Sequence, residues 1–301
     1  MDILEYDSVD AAIRGCFGED VKVLKKSRVR GGGINDSGCL SLSNGQKVFI
    51  KENTIKNSGF FEAEAYGIGL ISAFGVIGTP KLFCGGIDRI SQTSFLMMEM
   101  IEPAARIRDF WEVFGRELAL LHRSDTEKIL AHGAFGLERD NYIGAGKQIN
   151  TPKGSWVGFF RECRLKPQIK RAEKYFDRSL LAGIIRLLDR LEELLTEPVK
   201  PALLHGDLWS GNYIVGSDGR AWLIDPAVYV GHPEADLAMT ELFGRFHADF
   251  YRAYNETDPL QEGYTERRDL YNLYHLLNHL NLFGSSYLPA VTGIIRYYGG
   301  N

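Results

Sequence analysis

The stretch LLHGDLWSGNYIVGSDGRAWLID, residues 203–225, sets two carboxylates and a carboxamide, Asp207, Asn212 and Asp225, between short apolar runs. Its second half reads as two short strands, YIV and AWLI, around a turn rich in glycine and aspartate, and this pattern predicts a β-hairpin. Such a hairpin would bring Asn212 and Asp225 to the same end of two paired strands, whereas Asp218 would only form the turn. The plain alternative is a pair of hairpins whose Asp, Asn and Gly residues serve turns alone.

The spacing of the three polar residues favours a phosphate site over two simple turns. Asn212 follows Asp207 by five residues and Asp225 follows it by eighteen, which is the spacing of kinase catalytic loops. Phosphoryl transfer needs a group that orients the attacking hydroxyl and oxygen ligands that hold magnesium across the phosphates. Only ten residues separate Asp225 from Asp236, so a protein kinase's activation segment has no room and a small acceptor is favoured.

Three successive glycines, Gly31, Gly32 and Gly33, lie between two predicted strands in RVRGGGINDSG. Their backbone amides can approach a phosphate because no side chain projects from Cα. A flexible hairpin turn is the alternative interpretation. The lysine that follows them in the chain, Lys51, favours the interpretation of these glycines as a nucleotide-binding loop.

Lys51 ends the third predicted strand, where alternation places it on the same face as Phe49. A strand lysine can simply extend to solvent, but it can also pair with nucleotide phosphates while an acid on the next helix holds it. Glu62 and Glu64 in FFEAEAYG are the two candidates for that acid. Glu64 is favoured because it lies closer to the apolar stripe of the predicted helix.

Composition narrows the classes of partner and the compartment. The chain of 301 residues carries a net charge of −4 and 45% hydrophobic residues, so no positive field gathers nucleic acid or an anionic membrane. No apolar run approaches the ~18 residues that cross a bilayer, and the acidic N-terminal stretch is not a signal peptide. The four cysteines are far apart in sequence without a CxxC pair, which argues against structural zinc and a disulfide framework. We expect a reduced, cytoplasmic protein, and composition leaves its oligomeric state open.

Hydrophobic periodicity predicts an α+β chain of two lobes. Period-2 alternation predicts strands at 21–29, 38–43, 47–52, 81–86 and 93–100, and helical spacing predicts helices at 58–74, 110–123, 180–195 and 268–283. We therefore expect a small, mostly antiparallel β N-lobe with one helix over residues 1–102, which would bind nucleotide. A larger, mainly helical C-lobe would span 103–301 with the catalytic loop and the acceptor pocket. The basic run 161–178 is interpreted as the solvated face of a helix.

Several motifs resemble those of a known enzyme family. HGDLWSGN with IDP resembles the phosphotransferases of the protein-kinase-like fold, which include aminoglycoside and choline kinases. The longer runs PALLHGDLWSGN, IDPAVYVGHPEADLAM, ELFGRF and LYHLLNHLNLFG resemble the fructosamine kinase (ketosamine-3-kinase) family, as do FFEAEAYG, LALLH, NYIG and the pattern W..FF...RL..Q at 156–168. The matches run from about residue 31 to 284 and so cover nearly the whole chain.

That resemblance implies a protein-kinase-like fold and a role for each motif residue. Asp207 would be the catalytic base, Asn212 and Asp225 would hold Mg²⁺, and Lys51 would contact the ATP phosphates and pair with Glu64. The backbone of Glu99, Met100 and Ile101 would contact adenine. Asp236 and His205 would support the catalytic loop. The walls of the sugar pocket would come from four aromatic residues, Trp209, Trp156, Phe159 and Tyr229.

The activity implied by the resemblance is ATP-dependent phosphorylation of a sugar hydroxyl, the 3-hydroxyl, of fructosamine or ribulosamine adducts. The acceptor would be a small ketosamine or a glycated amine on a peptide or protein, and the reaction would serve deglycation. An aminoglycoside or choline-type phosphotransferase is the alternative, and a non-catalytic nucleotide-binding module is a further one. Many family members carry a Cys where Gly33 precedes Ile34 here, so redox control through a thiol in that loop is not expected.

Overall fold

The computed structural model describes residues 3–29, 35–130 and 134–300. The predicted phosphate loop at Gly31, Gly32 and Gly33 lies outside the described residues. The chain divides into two compact units: the first unit is Met1–Phe110 with Tyr213–Asp225, and the second unit is Trp111–Asn212 with Pro226–Asn301. The predicted boundary after residue 102 differs from this division chiefly because residues 213–225 belong to the first unit.

Strands and short helices come first along the chain, and long helices follow. The strands are β1 Ile3–Tyr6, β2 Val23–Arg28, β3 Asp36–Leu42, β4 Lys47–Thr54, β5 Leu82–Asp88, β6 Thr93–Glu99, β7 Asn141–Ile143, β8 Gly146–Gln148, β9 Ala202–Leu204, β10 Tyr213–Val215, β11 Ala221–Leu223 and β12 Tyr229–Gly231. The helices are α1 Val9–Phe17, α2 Ser58–Phe74, α3 Phe110–His122, α4 Trp156–Phe159, α5 Lys166–Ala172, α6 Arg178–Asp189, α7 Leu191–Leu194, α8 Pro233–Leu242, α9 Ala248–Thr257, α10 Tyr264–Phe283 and α11 Leu288–Gly299. A π-helix, Phe160–Leu165, joins α4 to α5.

A six-stranded sheet in the order β1-β5-β6-β4-β3-β2 forms the body of the first unit. All neighbouring pairs are antiparallel except β1 and β5. Ala12 and Ile13 of α1 pack with Val48 and Ile50 of β4 on one face of the sheet. On the other face, Phe61 and two further residues of α2, Ala65 and Ile68, pack with Leu96 and Met98 of β6. Alternation along β4 and β6 therefore gives the sheet two apolar faces, each covered by one helix.

The first unit corrects the prediction of a single helix. Helix α1 has only nine residues and begins at an N-cap, where the Ser8 side chain accepts a hydrogen bond from the Ala11 amide. Its sequence follows a charged, irregular N-terminal stretch, so the helical period is too short to stand out. Two helices, not one, therefore cover the sheet.

The hairpin β10–β11 is held to the first unit by backbone hydrogen bonds. The amide of Ala104 donates to the Val215 carbonyl at 3.1 Å, and the Leu223 amide donates to the Gly78 carbonyl at 2.8 Å. The hairpin pairs Tyr213 with Leu223, as the opening stretch predicts. These bonds explain why residues 213–225 belong to the first unit although the chain around them belongs to the second.

The second unit is mainly helical and is built around α10. The buried residues of α10 point in every direction around the helix and include Leu270, Tyr271, Leu273, Tyr274, Leu277 and Leu280. A helix that is buried on all sides lies in the core, and residues of α6, α8 and α11 share its cluster. The predicted α+β architecture, with an antiparallel-rich sheet followed by a helical region, is confirmed.

The interpretation of residues 161–178 as a solvated helix face is wrong for one of its charged residues. Lys166 and Lys170 are exposed, but Arg164 in the π-helix is fully buried. The π-helix contains one wider turn, which changes the direction of side chains relative to a regular helix. Across the parts of the chain that the structure describes, no helix is long and apolar enough to cross a membrane.

Candidate active site

Lys51 lies on the α2 face of the sheet and is held between two carboxylates. Its Nζ donates to Glu64 Oε1 at 2.6 Å and also to Asp225 Oδ1. The Lys51 and Glu64 side chains are only 9% and 12% exposed, whereas the Asp225 side chain is 41% exposed. The first unit therefore contains a buried ammonium group with one buried and one accessible carboxylate.

The charges of this cluster depend on burial and on the three partners. Burial lowers the pKa of Lys51, but the carboxylates of Glu64 and Asp225 outweigh that effect, so the net direction is upward and the lysine stays protonated. Burial raises the pKa of Glu64 to about 7, with Asp225 adding to the rise and Lys51 opposing it. The cation therefore offsets only part of the cost of burying the Glu64 carboxylate next to Asp225.

Asp225 adopts a backbone conformation that is unusual for its residue type. Its φ is 54°, in the left-handed region that costs energy for residues other than glycine. It follows β11 by two residues, so the hairpin fixes its position in the first unit. Strain of this kind persists where the surrounding structure demands it, often at functional sites.

Glu99, Met100 and Ile101 follow one another at the end of β6. The Glu99 amide donates to the Lys81 carbonyl at 2.8 Å, and the Lys81 amide donates to Glu99 Oε2 at 3.1 Å. Ile101 is buried. These bonds fix the backbone where the chain leaves the sheet, which is where adenine contact is predicted.

In the second unit, the loop after β9 is held by a carboxylate from α8. Asp236 Oδ2 accepts the His205 amide at 2.7 Å, and Asp236 Oδ1 accepts the Gly206 amide at 2.8 Å. Burial would raise the pKa of Asp236, but His122, with Nε2 3.2 Å from Oδ2, His205 and the backbone amides lower it. Gly206 has a φ of +82°, and a Cβ there would lie 2.1 Å from the Ala227 carbonyl oxygen, so only glycine fits.

Asp207 is the partly exposed carboxylate of this loop. The Asn212 amide group donates to the Asp207 carbonyl at 2.7 Å and to Asp207 Oδ2 at 3.1 Å, which fixes the carboxylate's rotamer. The Asp207 amide donates to His205 Nδ1 at 3.3 Å, so His205 also supports the loop. With 19% of its side chain exposed, Asp207 can reach a hydroxyl of a bound molecule.

A neutral histidine lies next to this carboxylate. His275 Nδ1 is 3.8 Å from Asp207 Oδ1, and His275 is 3% exposed. Burial lowers the pKa of His275 to about 3. The imidazole therefore adds no positive charge beside Asp207 at neutral pH, and the carboxylate retains its capacity to accept a proton.

Of the aromatic residues predicted to line a sugar pocket, only Trp209 retains accessible surface. Its ring meets Phe243 edge-on at 6.1 Å. Trp156, Phe159 and Tyr229 are at most 2% exposed, so the prediction that they line the pocket is wrong. Their rings belong to the apolar core of the second unit. Trp156 packs there against five rings, those of Phe135, Phe159, Phe160, His232 and Tyr271.

Arg164 was not predicted as part of this region, yet it anchors a buried polar network. Its guanidinium lies 3.9 Å from the Tyr229 ring centroid and donates to the Ile149 carbonyl at 2.6 Å and to Asn150 Oδ1 at 2.8 Å. Asn150 in turn donates to Asn141 Oδ1 at 2.8 Å. The only available signal was the arginine of the W..FF...RL..Q pattern, which lies in a charged run.

The same network reaches the backbone beside the loop that carries Asp207. Gln148 Nε2 donates to Asn141 Oδ1 and to the Ala227 carbonyl, and the Ala227 amide donates to the His205 carbonyl at 2.8 Å. Tyr274 completes it by donating to Gln148 Oε1 at 2.6 Å. The segment after Asp225 and the loop before Asp207 are therefore fixed by buried hydrogen bonds.

Each unit contains a polar side chain whose oxygen is of the type that binds magnesium. Asp225 and Asn212 offer a carboxylate and an amide oxygen, the hard ligands that Mg²⁺ prefers. Within the described ranges there is no cluster of three or more His, Cys, Asp and Glu residues that could hold a metal. Magnesium bound through one or two protein oxygens plus nucleotide phosphates does not need such a cluster.

The solved structures place this fold in a known class. The chain superposes on a thermostable aminoglycoside phosphotransferase, APH(4)-Ia, with a TM-score of 0.64 and 16% identity, covering 97% of this chain and 100% of the other. The fold of this chain is therefore protein-kinase-like. A candidate fructosamine-3-kinase from Haemophilus somnus matches more closely, with a TM-score of 0.85 and 28% identity over 97% of this chain and 96% of the other.

Sequence comparison identifies the family. The fructosamine kinase family model matches residues 6–298. A probable ketoamine kinase from Synechocystis is 38% identical over 97% of this chain and 96% of its own length. A chloroplastic protein-ribulosamine 3-kinase from Arabidopsis thaliana is 37% identical over 93% of this chain and 84% of its own length. The chain belongs to the fructosamine kinase family.

Proposed function

We propose that this protein is an ATP-dependent kinase that phosphorylates a sugar hydroxyl, the 3-hydroxyl, of ketosamines such as fructosamine and ribulosamine adducts. Family membership and the activity in the name of the Arabidopsis relative support the reaction and the position. The observation that carries the proposal is the orientation of Asp207 by Asn212, in a loop that Asp236 holds through two backbone amides.

In this proposal Asp207 orients the acceptor hydroxyl and accepts its proton. The hydroxyl oxygen then attacks the γ-phosphorus of ATP, the bond from that phosphorus to the bridging β,γ-oxygen breaks, and ADP leaves with the electron pair. Asn212 and Asp225 would hold Mg²⁺, which when bound neutralises charge on the transferring phosphoryl group. The acceptor would be a free ketosamine or a glycated amine on a peptide or protein.

The nucleotide contacts would come from residues 1–102 and the catalytic ones from 103–301. Lys51 would contact the phosphates while Glu64 holds it, which the 2.6 Å pair supports. Gly31, Gly32 and Gly33 would supply backbone amides to the phosphates. The backbone of Glu99, Met100 and Ile101 would contact adenine.

Trp209 is the proposed wall of the sugar pocket, since its ring is the predicted aromatic that retains surface. We propose deglycation in the cytoplasm as the physiological setting. All four cysteines are free thiols in the structure, which fits a reducing compartment.

The test is an ATP-consumption screen over fructoselysine, ribuloselysine, an aminoglycoside and choline, with and without Mg²⁺. We expect turnover of a ketosamine only, and product analysis that locates the phosphate on the 3-hydroxyl. Asp207→Asn should lower kcat by about 10²–10⁴-fold with an unchanged melting temperature. The matched control is Asp218→Asn in the hairpin turn, which should retain activity.

Two outcomes would contradict the proposal. Turnover of choline or the aminoglycoside, with none on any ketosamine, would assign the chain to another acceptor class. Nucleotide binding without turnover, unaffected by Asp207→Asn, would instead indicate a non-catalytic binding module.

A further inference from the structure

Strand β5 carries an irregularity that directs Cys84 toward α1. The pairing register between β5 and β6 shifts between Leu82 and Cys84, and such a bulge re-aims the side chains around it. Cys84 and the next residue back, Phe83, both pack with the cluster that contains Ala12 and Ile13 of α1. The Cys84 thiol therefore lies under the helix, and it is 7% exposed.

Helix α1 presents a second cysteine to the same place. Cys16 is exposed and lies three residues after Ile13 and four after Ala12, the two buried residues of α1. The next residue, Phe17, packs on the same cluster as Cys84. The rings of Phe17 and Phe83 meet edge-on at 4.9 Å. Cys16 directly precedes one ring and Cys84 directly follows the other, so the two thiols flank one contact.

The electrostatics of the neighbouring groups agree with this placement. Burial raises the pKa of Cys84, and a hydrogen bond and charge interaction with the Cys16 thiol raise it further. Burial and the two thiols also raise the pKa of Tyr6. Cys16 itself is exposed, so an oxidant in solution can reach one member of the pair while the other lies behind it.

We propose that Cys16 and Cys84 form an oxidation site in the first unit, at which a peroxide closes a disulfide between α1 and β5. The Cys16 thiol loses its proton, and the thiolate attacks one oxygen of hydrogen peroxide. The O–O bond breaks, a sulfenic acid forms, and the departing hydroxide takes up that proton to become the first water. The Cys84 sulfur then displaces the hydroxyl from the Cys16 sulfur, and the Cys84 proton leaves with it as water. Two thiols are oxidised, one peroxide is reduced, and two waters result.

The disulfide would join positions 68 residues apart in sequence, and the chain between them contains Lys51 and Glu64. Closing a long loop restricts the unfolded chain, so the oxidised protein should be more stable to heat. The thiol pair is thus independent of the glycine-rich loop, where Gly33 stands in place of the cysteine of many relatives. It also does not depend on the proposed kinase activity, which is not a readout of its test.

The experiment treats the full chain with hydrogen peroxide under native conditions, alkylates the remaining thiols and maps disulfides by mass spectrometry. We expect an intramolecular Cys16–Cys84 linkage that dithiothreitol reverses, with a melting temperature about 5 °C higher in the oxidised form. Cys16→Ser should abolish both effects, and because Cys16 is exposed this variant should fold. The matched controls Cys39→Ser and Cys163→Ser should retain the linkage and the shift.

Three results would overturn the proposal. One is oxidation of Cys16 to sulfinic or sulfonic acid while Cys84 stays alkylatable after unfolding. Another is a disulfide that joins two chains through Cys16, which a non-reducing gel separates from the intramolecular form. The third is a linkage of either thiol to Cys39 or Cys163.

Discussion

Two tryptophans with the same predicted role differ in what they can contact. Trp209 retains surface, whereas Trp156 is fully buried. We expect Trp209→Ala to raise the KM for a ketosamine about tenfold, the equivalent of roughly 1.4 kcal/mol of stacking, with little change in melting temperature. Trp156→Ala should instead lower the free energy of unfolding by about 3–5 kcal/mol. Steady-state kinetics and urea unfolding of both variants distinguish the two roles; an unchanged KM in Trp209→Ala would remove Trp209 from the acceptor pocket.

The buried ammonium of Lys51 gives a second prediction at this scale. Lys51→Met removes the cation that Glu64 and Asp225 share. We expect ATP-dependent turnover to fall by at least about 100-fold, the equivalent of roughly 2.7 kcal/mol, and the free energy of unfolding to fall by about 3 kcal/mol. Coupled ATPase assays and denaturant titration measure the two losses. Lys56→Met, at an exposed lysine nearby, is the matched control, and equal behaviour of the two variants would contradict the assignment.

At the residue scale, the predictions that sequence allowed needed only the period of one strand or helix. Strand alternation placed Lys51 on the same face as Phe49, and the apolar stripe of the predicted helix favoured Glu64 over Glu62. Lys51 pairs with Glu64 in the structure. Arg164 could not be recognised in this way. Its burial depends on Ile149, Asn150 and Tyr229, which are distant in sequence, and a charged residue in a charged run is typical of a surface.

At the scale of elements, long periodic segments were predictable and short ones were not. Helix α2 was predicted at 58–74 and spans Ser58–Phe74, because its apolar stripe persists over several turns. Strand β1 was not predicted. It has four residues and pairs in parallel with β5. A strand this short is defined by its pairing partner, which lies far away in the sequence, rather than by its own residue pattern.

The N-terminus of α8 makes stability depend on pH. His232 is the N-cap, with Nδ1 accepting the Glu234 amide at 3.2 Å, and burial lowers its pKa to about 3. The unfolded chain binds this proton near pH 6.5, so the contribution is complete above that pH and is lost as pH falls toward 3. Between pH 7 and pH 5 the free energy of unfolding should therefore fall by about 2 kcal/mol more in the wild type than in His232→Asn, a variant that retains an N-cap.

Urea titrations at the two pH values measure that difference. The matched control is His247→Asn, because His247 caps α9 in the same way but is exposed. The pH dependence of the His247 variant should follow the wild type. If the free energy of unfolding changes equally with pH in the wild type and in the His232 variant, His232 is not the source of the pH dependence.

At the scale of the whole molecule, the two units should respond differently to nucleotide. A non-hydrolysable ATP analogue with Mg²⁺ should slow amide hydrogen exchange in the first unit, most clearly in β3, β4 and residues 213–225, because binding stabilises the bound form by mass action. EDTA should reduce this protection if Asp225 and Asn212 hold the metal. Hydrogen exchange followed by mass spectrometry shows which residues are protected. Protection confined to the second unit would contradict the proposed nucleotide contacts.

The division into units was the large-scale feature that sequence patterns described least well. A change from strand-rich to helix-rich composition indicates one boundary near residue 102, and the first unit does continue to Phe110. Residues 213–225 also belong to the first unit, and this depends on backbone hydrogen bonds such as that between Leu223 and Gly78. Backbone groups have no residue-specific signature, so the sequence of the hairpin predicts its turn but not its partner.

The hairpin's membership of the first unit limits how this protein can be rearranged by recombination. A gene fragment encoding residues 1–110 would lack the hairpin. The amides of Ala104 and Ile107 would then have lost the carbonyl oxygens of Val215 and Gly219, to which they donate in the whole chain. The complementary fragment would encode the hairpin without its partners. A chimera that inherits the first unit from another family member therefore needs two crossovers around codons 213–225 in addition to the one near codon 110, and a single-crossover library should be depleted of folded proteins.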